Sequence, residues 1–234
     1  MQLVFENVAF YRQGWALHAS GTFHAGIHLV CGPVGSGKST LAMLASGLLA
    51  PDEGNVRLEG IGSSMLSLQF PEYHITGLTL AGEVASWGLE TESILTEAGL
   101  QGREHEDPAW LSRGELKRLQ IACALAVSRD LLILDEPFSS LDCHEKEALY
   151  RKLSTRHAGI TLLFTHEPWY LPRVDEIWIL ESGRLGALGQ TPGAIARWSG
   201  APDHIRHLIA SDNIPANISP DDVEEAVCRM HVSG

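Results

Sequence analysis

Residues 32–39 read Gly32, Pro33, Val34, Gly35, Ser36, Gly37, Lys38, Ser39, and this G-x-x-x-x-G-K-[ST] spacing is one that cradles phosphate. The glycines let backbone N–H groups converge on phosphate oxygens, and a helix starting at the loop's end favours the same anion. Lys38 is placed to reach the β and γ phosphates and the Ser39 hydroxyl to ligate Mg²⁺, and Thr40 is counted with them among the nucleotide-binding residues. An ordinary glycine-rich turn is the plain alternative. The strand-like IHLVC before the loop and the helical LAMLASGLL after it favour the phosphate reading.

A second group of residues fits the same chemistry. In LLILDEP, four apolar residues lead into Asp135 and Glu136. Asp135 at a strand's end can hold a Mg²⁺ shell, while Glu136 can take a proton from an attacking water. A simple strand-to-turn exit is the other reading of Asp-Glu-Pro. Between these groups lies Leu111-Ser112-Arg113-Gly114-Glu115, where S-x-x-E before a helical run is a capping box.

The elements that must position these residues alternate as β-α-β. Short β segments fill the first thirty residues, and strand, loop and helix then follow through the phosphate loop. From about 70 to 111 come glycine-broken helical pieces without a convincing strand, read as an inserted helical lobe. A helix from Ser112, the strand LLILD, a charged helix and the strand ITLLF follow. The fold expected is α/β: a P-loop NTPase core with a mainly parallel sheet, an N-terminal antiparallel β region and the inserted lobe. One domain over 1–234 is expected, with a mixed helical extension from about 190 to which the sequence assigns no role.

Composition narrows the partners. The 234 residues carry a net charge of −12, which gives no general positive field for nucleic acid. The four cysteines are far apart and form no C-x-x-C pair, so a reduced cytoplasmic chain is expected. The start lacks the pattern of a secretory signal. Its apolar runs fall short of the roughly 20 residues that span a bilayer.

The LSRGE segment resembles the LSGGQ signature of the ATP-binding cassette (ABC) family, and the resemblance extends residue by residue. Gln69 looks like the family's Q-loop glutamine, Ser139-Ser140-Leu141-Asp142 like its D-loop, and His166 in FTHE like its switch histidine. The shared order covers most of the chain. It implies an ATPase of two face-to-face subunits, with each ATP held between one subunit's Lys38 loop and the other's Ser112, Gly114 and Asp142. Gln69 and His166 would then join Glu136 in catalysis, and Gln69 would join Ser39 and Asp135 around Mg²⁺. Two positions depart from the signature: Arg113 replaces a glycine and Glu115 a glutamine. The aromatic that stacks on ATP is expected at Tyr11, with Phe10 as the alternative.

Within the family, Leu68-Gln69-Phe70-Pro71-Glu72, with Thr79-Leu80 and Glu83-Val84, looks like the ATPases of energy-coupling factor importers, which take up vitamins and metal ions. The resemblance implies a peripheral protein on the cytoplasmic face of the membrane, docked to a transmembrane subunit through residues 69–84, where Glu72 and Glu83 are the candidate docking charges. A non-transport cassette ATPase of repair, translation or assembly is the alternative. A small P-loop kinase would lack both LSRGE and SSLD.

Overall fold

The structure is a computed structural model that describes residues 1–156, 158–166 and 170–232. The last two residues of the expected domain therefore lie outside it. β1 (Gln2–Arg12), β2 (Trp15–His24) and β4 (Glu53–Glu59) form the N-terminal antiparallel region, with β1 between the other two. Five parallel strands make the core: β3 (Gly26–Cys31), β5 (Ser64–Ser67), β6 (Leu131–Asp135), β7 (Ile160–Phe164) and β8 (Glu176–Glu181). β9 (Arg184–Gln190) runs antiparallel to β8 and touches β2, so all nine strands join in the order β4-β1-β2-β9-β8-β3-β7-β6-β5. Every residue of β6 and β7 is buried, as mainly apolar runs must be when helices cover both faces of a parallel sheet.

On one face, α1 (Lys38–Ala45) packs its Leu41 and Leu44 among Leu3, Phe23, Ile133 and Phe164. On the other, α5 (Cys143–Ser154) supplies Leu149 and Leu153, which join Leu132, Leu163 and Ile177. The C-terminal helices α6 (Gly193–Ala196), α7 (Asp203–Ala210) and α8 (Pro220–Val232) close this second core with Ile195, Ile205 and Val223, joined by Ile218 just before α8. Asn217 locks that extension down. Its amide donates to the carbonyl of Val174 at 2.9 Å and accepts from the Val174 N–H at 2.9 Å, so a buried side chain satisfies both main-chain polar groups of a residue outside the sheet.

The segment 70–111 carries no strand. It holds α2 (Leu80–Ser86) and α3 (Thr91–Glu97), which share a separate apolar cluster with α4 (Arg113–Ala126) through Leu80, Val84, Leu95 and Leu119. Glu83 is not the docking charge expected of it. It is 2% exposed and accepts from the N–H groups of Thr76 and Gly77, both at 2.8 Å, and from Trp87 Nε1 at 2.9 Å. A buried carboxylate of this kind serves as an internal cap.

In the sheet β3, β7, β6 and β5 are consecutive neighbours, and all four run parallel. Their C-terminal ends therefore lie side by side, and they deliver the phosphate loop, His166, Asp135 with Glu136, and Gln69 to one edge, where open α/β sheets bind ligands.

Candidate active site

A cleft of about 350 Å³ lies at that edge. Val34, Gly35, Gly37, Lys38, Ser39 and Thr40 form one wall, and Gln69, Asp135, Glu136 and His166 the other. Two glycines allow the loop its path. A Cβ on Gly32 would lie 2.1 Å from the Leu180 carbonyl oxygen, and Gly37 sits at φ 106° with its α-carbon face against the Trp15 ring. Only glycine fits either place. Lys38 Nζ folds back to donate to the carbonyls of Gly32 at 2.9 Å and Pro33 at 3.1 Å, bonds it can exchange for phosphate oxygens. The buried Ser36 hydroxyl has no protein partner.

Asp135 is 1% exposed, and neither carboxylate oxygen has a hydrogen-bond partner. Burial raises its pKa; the nearby Ser39 hydroxyl, short of hydrogen-bond geometry, and the charges of Lys117 and Lys38 pull it partly back. A buried, unpartnered carboxylate beside a hydroxyl fits a hard divalent cation that takes its remaining oxygens from phosphate and water. The residues present fit Mg²⁺. Among the described residues no cluster of three His, Cys, Asp or Glu side chains could hold a metal by itself.

Glu136 is held from three directions. Thr165 Oγ1 donates to its Oε2 at 2.9 Å, the His166 N–H donates to its Oε1 at 3.1 Å, and His166 Nδ1 lies 2.6 Å from Oε1. Its backbone is left-handed, at φ 48°, a conformation that non-glycine residues take at some cost where function holds them. A carboxylate so fixed at the rim of the cleft is poised to accept a proton from water.

Ser112, Gly114 and Asp142 do not line this cleft. Ser112 Oγ accepts from the Glu115 N–H at 3.3 Å while Glu115 accepts from the Ser112 N–H at 2.8 Å, completing the capping box. Asp142 caps α5 in the same way. Gly114 backs onto the carbonyl of Ser140, 3.0 Å from where a Cβ would stand. Arg113 turns toward its own chain, 3.7 Å from Glu72 and 5.8 Å from the Phe70 ring centre.

The structure does not bring Tyr11 to the cleft. Tyr11 stands exposed, with its hydroxyl donating to Glu53 at 3.2 Å, and Phe10 is buried in the core. The aromatic that reaches the cleft is Trp15, at the start of β2. The sequence signal for it was present: a second aromatic immediately after the Gln13-Gly14 turn that follows Tyr11 and Arg12.

Residues 18–139 match the family described as ABC transporter. Over 215 residues the chain is 33% identical to an ABC transporter ATP-binding protein of Pyrococcus horikoshii, covering 80% of this chain and 83% of that one. The chain belongs to the ABC transporter ATP-binding family. This ATPase is also 33% identical over 228 residues to the thiamine import ATP-binding protein ThiQ of Brucella abortus, covering 87% and 93% of the two chains. The solved structure of a bacterial Atm1-family ABC exporter with ATP bound shares its fold, with a TM-score of 0.66 at 22% identity over 79% of this chain and 38% of that one. Other relatives are longer: the ATPase spans 52% of the sulfate/thiosulfate import protein CysA of Mesostigma viride. Among the described residues no helix is long and apolar enough to cross a membrane.

Proposed function

We propose that this ATPase drives uptake through a separate transmembrane subunit, working as a pair of ATPase subunits on the cytoplasmic face of the membrane. The carrying observation is that one cleft holds Lys38, the unpartnered Asp135 and the fixed Glu136, while Ser112, Gly114 and Asp142 face elsewhere. A second subunit supplies those three residues to the open side of the cleft. Lys38 leaves the loop carbonyls for the β and γ phosphates, and Glu136, steadied by Thr165 and His166, takes the proton of the attacking water. Trp15 stacks on the base. Ser39 and Asp135, with Gln69 nearby, would hold Mg²⁺, whose chemistry there would be to neutralise charge on the phosphates.

An import role is supported by the names of the relatives, which include thiamine and sulfate importers. The narrower energy-coupling factor assignment rests on the Leu68–Glu72 segment. The net charge of −12 speaks against a nucleic-acid partner and hence against a repair or translation factor. The membrane subunit docks where Phe70, Tyr73 and Leu78 are exposed, at 40%, 73% and 90%, since large exposed apolar groups clustered on one loop mark an interface. The double variant Tyr73→Asp, Leu78→Asp is expected to lose a copurifying integral membrane protein while retaining ATP binding. Undiminished copurification would place the membrane subunit elsewhere.

A further inference from the structure

Leu68 and Gln69 leave the end of β5 and cross in front of the cleft. Both main-chain polar groups of Leu68 are fixed by side chains: its N–H donates to His74 Nε2 at 3.1 Å, and its carbonyl accepts from Lys117 Nζ at 3.0 Å. Lys117 Nζ also lies 3.5 Å from the Gln69 carbonyl. Lys117 is 1% exposed, and its hydrogen-bond partners are both carbonyls, while Asp135, Glu136 and Glu72 act on it only through their charge. Burying an ammonium in that way is costly. An apolar side chain of the same length would fill the space at less cost, so the need it meets is for a donor at this point.

We propose that Lys117 is the positioning residue for Gln69, fixing the main chain of the 68–69 loop to the helix that begins at Ser112. One turn earlier on the same helix, Arg113 reaches Glu72 and the Phe70 ring. α4 thus grips the loop on both sides of Gln69 with two cations spaced i, i+4. A shift of the helix's Ser112 end carries the Gln69 main chain with it, and that main chain cannot move away from the cleft without breaking the Lys117 bonds. The inference rests on the reading that Gln69 serves the reaction in the cleft.

The test is a double-mutant cycle on the full chain, measuring ATP turnover with Mg²⁺, affinity for a fluorescent ATP analogue, and the melting temperature. Lys117→Met is expected to lower kcat by about 10- to 100-fold, the range for a misplaced reacting group, with nucleotide affinity within about threefold of the parent. Lys117→Arg, which keeps the donor, is expected to recover most of the rate. The double variant Gln69→Ala, Lys117→Met is expected to turn over no more slowly than Gln69→Ala, because the second loss acts through the first. Multiplied losses in the double variant, or parental kcat in Lys117→Met, overturn the proposal. Parental kcat in Gln69→Ala overturns the reading of Gln69 itself, and the proposal with it. Should Lys117→Met fail to fold, Lys117→Gln keeps a shorter donor and enters the same cycle with the same expectation of non-additivity.

Discussion

Glu83→Ala removes the carboxylate around which the loop at residues 76–79 is folded. Three N–H donors then lose their partner: Thr76 and Gly77 at 2.8 Å and Trp87 Nε1 at 2.9 Å. Each buried donor left unsatisfied costs about 1–3 kcal/mol, and more when the lost acceptor is charged. Part of that is recovered, because Thr76 and Gly77 lie in a loop that can open to water. The net expectation is a loss of about 3–5 kcal/mol, a large share of a total stability of about 5–15 kcal/mol. Glu83→Gln keeps one acceptor for the two loop N–H groups but turns its own amide donors toward the Trp87 ring N–H, so a loss of about 1–2 kcal/mol is expected. Urea unfolding of both variants beside the parent measures this directly, and copurification of the membrane subunit should fall with the alanine variant because Leu78 loses its support. An alanine variant within about 1 kcal/mol of the parent would show that the loop does not depend on Glu83.

Trp15→Ala is expected to weaken binding of a fluorescent ATP analogue by about 10-fold, as base stacking is worth about 1–3 kcal/mol, with Trp15→Phe intermediate and Tyr11→Ala unchanged; the reverse pattern would return the stacking role to Tyr11. Glu115 has its carboxyl pKa held well down, to about 2, by hydrogen bonds with Ser112 and then by Arg103. Its ordinary value is 4.5, so on acidification the unfolded chain takes up this proton first, and the stability it contributes is present above that value and lost as the pH falls toward 2. Glu115→Gln, which restores the family's usual residue, should flatten that part of the urea-midpoint curve, and parallel curves for variant and parent would exclude the role.

The fold class and the cleft's main residues were legible because their chemistry dictates residue type at fixed spacing. A phosphate loop needs glycines and a lysine in one order, and an unbroken apolar run such as Leu131–Leu134 needs two covered faces. Strand order then brings Gln69, Asp135 and His166 together, which the sequence expressed only as an order along the chain. What was not legible depends on where side chains point. Tyr11 and Trp15 are both aromatic and near the same turn, and the hairpin register, which pairs Trp15 with Arg12 and Tyr11 with Ala16, sends them to opposite faces, one in the cleft and the other at Glu53. Glu72 and Glu83 read alike as surface charges, yet only Glu72 stays at the surface, paired with Arg113. Lys117 sits in a helical run where a lysine is ordinarily solvated, and its burial over the Leu68 carbonyl is set wholly by the packing of α4 on the loop.

Separating ATP binding from ATP cleavage tests the assignment of the cleft most directly. Glu136→Gln keeps the shape of the side chain that Thr165 and His166 hold but cannot serve as a base, so phosphate release should fall by about 10²–10⁴-fold while ATP still binds. Lys38→Ala, which deletes the cation at the phosphate loop, should instead lose ATP affinity. Phosphate release and ATP binding are measured for both variants beside the parent, with the closed dimer of Glu136→Gln followed by size exclusion in ATP and Mg²⁺. A Glu136→Gln protein that binds ATP, persists as a dimer and releases almost no phosphate is the result expected; one that releases phosphate at the parent's rate would mean that another group takes the proton.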